Sequence, residues 1–226
     1  MKLLRIFSIF FIVTFLNEVL IAQNKVDIGI EAGPSLIFLR GNKIVYNYSK
    51  GIGFAGGPSF QYNFGNHLAL KTNLFIERKG AIAKGFTTAD DYPFLIGGNG
   101  VTLHEHYDYL TLPILVHASL GKTVRFFLNT GPYFGFLLKQ HNKLEGPDIM
   151  EVKWNNTDKW KRLDMGLVLG LGCYIPLTEK LAFTFELRHN YGLYEINDFT
   201  FADGGSMKTN ATNLLIGVAY RLGNSN

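Results

Sequence analysis

Eight charged residues sit on faces otherwise made of Gly, Ala, Ser and Asn: Glu31, Lys71, Glu77, Arg125, Asp164, Glu186, Arg188 and Arg221. In each segment the opposite face carries Leu, Phe, Ile or Val. Both signs are present, so carboxylates can meet ammonium and guanidinium groups across a narrow interior. A buried charge without a partner costs several kcal/mol. The pattern therefore predicts a salt-bridged lumen that fixes strand register. A polar path for protons or small solutes is the alternative use of the same residues.

Other residues offer chemistry of different kinds. His117 and Ser119 share a strand face and resemble the pairing in outer-membrane lipid A deacylases, where a Ser nucleophile needs a base within hydrogen-bond reach. They fall beside the short turn at Gly121, opposite the leaflet that holds lipid A, so a catalytic role is not expected. His104 and His106 share a face near Glu105 and Asp108, but no third metal ligand follows from spacing. No metal and no cofactor are expected. Gly97-Gly98-Asn99-Gly100 lacks the strand–loop–helix setting of a phosphate cradle and reads as a loop tip. Arg40, Lys43, Lys50, Arg78, Lys79 and Lys84 gather near one rim, where they suit lipopolysaccharide phosphates. Tyr92, Phe94, Trp154 and Trp160 lie in long connections and suit either contacts with envelope protein partners or packing on the barrel rim. Cys173 is the single cysteine and stands among apolar neighbours, which excludes an internal disulfide or a thiolate metal site.

The elements that must position these groups are strands. Period-two alternation recurs in eight segments, the signature of a membrane barrel strand. They run from Val26 to Phe38, Ile52 to Phe64, Leu68 to about Arg78, Leu110 to Ser119, Val124 to Phe136, Leu163 to Cys173, Leu181 to Asn190 and Asn213 to Leu222. A tilted membrane strand needs about 9–11 residues. Small residues suit a narrow filled interior, and the Leu/Phe/Ile/Val faces suit hydrocarbon. A periplasmic lipocalin-like binder would turn those apolar faces inward.

Connections alternate in length. Gly65-Asn66-His67, Gly121-Lys122-Thr123 and Pro176 to Lys180 are short, with tight-turn residues. Those at 40–51, 80–106, 139–161 and 195–210 are longer. Outer-membrane barrels place short turns in the periplasm and long loops outside, so both termini are expected on the periplasmic side. Tyr62, Phe64, Tyr191 and Tyr220 fit interfacial girdles. Pro34, Pro58, Pro113 and Pro132 fall inside strands, three of them after Gly, and are expected to mark bulges or bends.

Lys2 and Arg5 precede an apolar run from Ile6 to Leu16, too short for a spanning helix and right for a signal peptide. Residues 1–22 read as that peptide, cleaved after Ala22, and 23–226 as one barrel domain. A net charge of +4 with no Lys/Arg block speaks against nucleic-acid binding.

The motifs Gly29-Ile30-Glu31-Ala32-Gly33-Pro34, Tyr109 to Leu115, Gly131-Pro132-Tyr133-Phe134-Gly135 and Glu186 to Leu193 resemble the outer-membrane β-barrel family that includes PorT-like proteins, common in Bacteroidota. The resemblance implies an eight-stranded barrel in the outer membrane and carries over no catalytic residue. The last strand departs from the family habit, ending Tyr220-Arg221-Leu222 before Gly223-Asn224-Ser225-Asn226. The expected fold is thus an all-β, eight-stranded antiparallel up-and-down transmembrane barrel. The expected role is a structural and interaction platform with a plugged lumen, whose partners are membrane lipid, lipopolysaccharide and envelope proteins. A narrow transport or secretion-accessory barrel is the second reading, and a lipid-modifying enzyme the third.

Overall fold

The computed structural model describes residues 26–41, 48–84, 101–146, 149–199 and 205–222. The expected signal peptide, Lys43, Tyr92, Phe94 and the glycines at 97–100 lie outside them.

The strands are β1 (Val26–Arg40), β2 (Tyr48–Ser49), β3 (Gly51–Asn63), β4 (Leu68–Asn73), β5 (Phe75–Lys84), β6 (Thr102–Leu120), β7 (Arg125–Gly146), β8 (Ile149–Asn155), β9 (Leu163–Pro176), β10 (Leu181–Gly192) and β11 (Lys208–Leu222). β4 and β5 form one stave broken at Leu74. With that stave counted once, eight antiparallel staves close into a ring as β1 pairs with β11, Val26 opposite Leu222. The small β2 pairs only with β5, and β8 only with β7, so both lie outside the ring at one end.

Exposure settles which face is which. Along β9, Leu167, Leu169 and Leu171 are exposed, whereas Asp164 and Val168 on the alternate face are buried. The same alternation exposes Leu112, Ile114 and Val116 on β6 and buries Leu115, His117 and Ser119. The apolar face thus points outward on every stave, and the polar face fills the lumen. That inversion of the soluble pattern is what a bilayer requires. Cys173 lies on the outer face, opposite Phe126 and Phe185 in the neighbouring strands.

Two expectations are corrected. First, the long connections contain more strand than expected: β5 runs on to Lys84, β6 starts at Thr102, and β7 reaches Gly146 before folding back as β8. In these extensions the polarity reverses. Leu103, Tyr107 and Leu144 turn inward and are buried, while His104, His106, Asp108 and Lys143 face out. The apolar period shifts by one residue at Tyr109/Leu110, where β6 leaves the hydrocarbon. On β7 the change coincides with a bulge, because Tyr109 pairs with Leu137 but Asp108 with Lys139.

Second, the in-strand prolines are not bulges. Ala32 pairs with Ile216 and Ser35 with Asn213, so the register is unchanged across Gly33-Pro34, which lack partners in β11 but pair with Ala55 and Phe54 of β3. The same holds for Gly131-Pro132, flanked by the pairs of Thr130 with Val116 and Tyr133 with Pro113. Each proline opens a local gap in the ladder instead. At Gly131 (φ +157) a Cβ would strike the Ile114 carbonyl of the next strand, so only glycine permits the close approach there. Leu74 lies where ladder pairs are missing on both sides, between Gly57-Pro58 of β3 and Leu112-Pro113 of β6, and the third stave breaks there.

Candidate functional site

Inward-pointing side chains from all staves meet in the lumen, in layers. At the turn end, Arg221 Nε donates to Asp27 Oδ1 at 2.9 Å, and Asn63 Nδ2 donates to Asp27 Oδ2 at 3.0 Å. Arg125 stands beside this layer and pairs with no carboxylate in it. Its guanidinium donates to Ser119 Oγ at 2.7 Å and to the Asn66 carbonyl, tying two turns together.

The middle layer is a four-residue ionic cluster. Lys71 Nζ lies 2.6 Å from Glu31 Oε1 and 3.3 Å from Glu186 Oε2. Arg188 grips both oxygens of Glu186, Nε and one terminal nitrogen each at 2.8 Å, and lies 3.5 Å from Glu31. Asn73 closes the set by accepting from Arg188 at 3.0 Å and donating to Glu31 at 3.1 Å. Two carboxylates balance two cations. A bidentate Arg–carboxylate pair adds geometric specificity as well as energy, so this layer holds β1, β4 and β10 in one register.

The third layer centres on Lys79, whose Nζ is 2.9 Å from Asp164 Oδ2, 3.7 Å from Glu77 Oε2 and 4.0 Å from the centre of the Tyr133 ring. Thr209 and Tyr133 hydroxyls donate to Asp164, at 2.7 and 3.2 Å. Asn190 and Asn213 donate to Glu77 at 2.7 and 3.1 Å. Lys79 therefore belongs to the lumen. Its expected place at the lipopolysaccharide rim is overturned by a side chain with 0% exposure. The reason is strand length: because β5 continues past Arg78, alternation sends Lys79 inward with Glu77. Asp27 and Lys79 join the lumen charges beyond the eight expected. The alternation of β1 already offered the signal for Asp27.

Above the charges the lumen is closed by an apolar layer of Leu39, Ala81, Tyr107, Tyr109, Leu137, Ile196 and Met207, with Tyr48 and Trp160 packed against it. Beyond that layer, at the loop end, lies a cavity of about 520 Å³. Tyr48, Glu105, Asn142, Asn156, Trp160 and Phe199 contribute to its walls, with Asp158, Lys159, Asp198 and Met207. Trp160 is held edge-on between Tyr107 and Phe199, at centroid distances of 4.9 and 5.4 Å. The Tyr107 hydroxyl donates to Glu105 Oε2 at 3.2 Å. Burial pushes the Glu105 carboxyl up to about 7, even though hydrogen bonds from Tyr107 and Tyr48 act to lower it.

The other sequence candidates resolve separately. His117 Nδ1 contacts Asn129 Oδ1 at 2.7 Å, while Ser119 Oγ is taken by Arg125, so the two do not form a nucleophile–base pair in this geometry. His106 stacks near His104 and, across the strand pair, near His141, at 6.0 and 5.2 Å between ring centres. Among the described residues no His, Cys, Asp and Glu side chains are grouped to hold a metal ion. Of the rim cations, Arg40 lies over the Tyr191 ring at 3.9 Å, Lys50 over Phe38 at 5.6 Å and Arg78 over Phe54 at 5.3 Å. Arg78 also forms a two-bond pair with Asp108, at 2.7 and 3.0 Å. Lys84 is exposed at the end of β5. Each of the three ring-bound cations thus sits on an outward aromatic at the loop-side edge of the apolar belt.

A closed ring of eight staves with a lipid-facing apolar belt and a polar lumen defines an integral outer-membrane β-barrel. The sequence profile described as outer membrane protein beta-barrel domain matches residues 21–198, and the chain belongs to that family. Solved structures with a similar outline include Neisserial surface protein A, at 10% identity over 86% of this chain and 97% of that one, TM-score 0.47. A major outer membrane protein of Thermus thermophilus is similar at 16% identity over 87% and 99%, TM-score 0.48. The attachment invasion locus protein Ail of Yersinia pestis is similar at 10% identity over 87% and 98%, TM-score 0.41. A comparison with curated proteins finds no match.

Proposed function

We propose that this outer-membrane barrel is a closed platform: its lumen is a structural plug, and its outer strands and loops contact lipopolysaccharide and envelope proteins. The observation that carries the reading is the pairing of the lumen charges, Arg125 excepted, with one another beneath an apolar layer. Eight staves enclose side chains rather than open water, and here Lys71, Lys79, Arg188 and Arg221 each pair with a buried carboxylate. The rim supports the outward half of the proposal, since Arg40, Lys50 and Arg78 are held on aromatic rings where lipid headgroups begin. Within the same proposal, residues 1–22 are a signal peptide cleaved after Ala22, and the chain is a PorT-like barrel of the Bacteroidota type.

The test is conductance in planar bilayers together with lipopolysaccharide retention. The purified barrel is expected to give no steady current, and Arg40→Gln/Lys50→Gln/Arg78→Gln to bind lipopolysaccharide more weakly than the parent. Steady ion flow through the unaltered barrel would favour the transport reading. Equal retention by the triple variant would remove lipopolysaccharide as the rim's partner.

A further inference from the structure

Six carboxylates are buried among the described residues: Asp27, Glu31, Glu77, Glu105, Asp164 and Glu186. Five of them have a cation within ion-pair distance, supplied by Arg221, Lys71, Lys79 or Arg188. Glu105 is the exception. Its partners are the neutral hydroxyls of Tyr107 and Tyr48, and no Lys, Arg or His of the described residues forms an ion pair with it. It is also the buried carboxylate that opens onto the outer cavity. A buried carboxylate without a counter-charge is costly, and a fold that pairs its other five has left this one facing space.

The rest of the cavity supplies what an organic cation needs. At about 520 Å³ it falls within the size range of small-molecule sites, roughly 300–1,000 Å³. Trp160, Phe199 and Tyr48 give it aromatic walls, and the faces of such rings attract a cation, Trp best of all. Asp158 and Asp198 add negative charge at the mouth, where Lys159 is the opposing cation. Asp158 is partly engaged by Arg162 at 3.3 Å, so Asp198 is the freer of the two. We propose that this outer cavity is a binding site for a small organic cation, an ammonium group on an apolar or aromatic body, with Glu105 as its counter-ion and Trp160 and Phe199 as its walls.

The site reports on itself. Trp154 and Trp160 are the two tryptophans of the chain, so Trp154→Phe leaves Trp160 as the sole emitter. In that background the full-length barrel in detergent is titrated with phenethylammonium, phenethyl alcohol and phenylacetate. Saturable change is expected with the ammonium, with affinity at least about tenfold weaker for the alcohol and none for the carboxylate, a ratio equal to one charge-assisted hydrogen bond. Glu105→Gln is expected to lose the same tenfold while keeping heat-dependent gel mobility. Should Glu105→Gln fail to fold, Asp198→Asn/Phe199→Ala on the exposed wall serves instead, with calorimetry as the readout and weaker ammonium binding expected. Equal affinity for the three probes, no saturable binding, or ammonium binding unchanged in the folded variant would overturn the assignment.

Discussion

The Lys79 ammonium lies 2.9 Å from the Asp164 carboxylate, with both side chains wholly withdrawn from solvent and a separation of 85 positions along the chain. It also serves Glu77, so one cation stabilises two buried anions. Removing one partner of a buried pair is costly, about 3–5 kcal/mol, because the remaining charge keeps its desolvation penalty. Lys79→Met is expected to lower the unfolding free energy measured in urea by that order, with a lower midpoint, and Lys79→Met/Asp164→Asn to recover part of the loss. Equal midpoints for Lys79→Met and the parent would show that the pair contributes nothing.

The apolar belt has a defined upper edge, and depth is expected to set the cost of a charge. Leu169 is outward-facing and 56% exposed in the middle of β9. Leu169→Arg is expected to destabilise by about 2–4 kcal/mol in bilayers. His104, also outward-facing but beyond Leu110, is expected to tolerate Arg at about 0–1 kcal/mol. Unfolding from lipid vesicles measures both, and similar costs would place the belt wrongly.

Gly131 approaches the Ile114 carbonyl more closely than any side chain allows. Overpacking of this kind typically costs about 1–3 kcal/mol. Gly131→Val is expected to reduce stability by that amount and slow assembly into the membrane, read from the appearance of the heat-modifiable band. Gly65, whose Cβ position is open, is expected to accept Ala with little change.

The extramembrane carboxyl of Glu105 gives a pH signature. Its folded value of about 7 lies above its ordinary 4.5, so the fold favours the neutral form. The unfolded chain loses its proton first, and the stability due to this group is complete below about 4.5 and drains away as pH rises towards 7. Its neighbours are Tyr107 on the same strand, Tyr48 of β2, Asp158 and Lys159 of the short 3-10 turn Thr157–Lys159, and Asp198 after β10. Burial pushes the Tyr107 hydroxyl further up, so it stays neutral across this range. The Tm of the parent is therefore expected to fall relative to Glu105→Gln between pH 5 and 8, and an unchanged difference would contradict the shift. Phenethylammonium, by favouring the anion, is expected to bind more tightly at pH 8 than at pH 6.

The strands of the ring and the face each turns to lipid are legible in the sequence alone. Leu110, Leu112, Ile114 and Val116 read outward without any structure, because period-two alternation is local and hydrocarbon accepts only one of the two faces. The charges Glu31, Lys71, Glu186 and Arg188 were legible as lumen residues for the same reason. Which carboxylate meets which cation was decided only by closure of the barrel, since Lys71 and Glu186 are 115 residues apart and meet across the ring rather than along it. Lys79 is not legible as a lumen residue because a strand's end is weakly encoded, and one further pair of residues exchanges rim for lumen. The outer cavity lay beyond sequence reasoning altogether. Above Tyr109 the outside is water instead of lipid, so the apolar face turns inward, and the same alternation acquires the opposite meaning. Only the height of each residue above the membrane, set by register around the whole ring, decides which meaning holds.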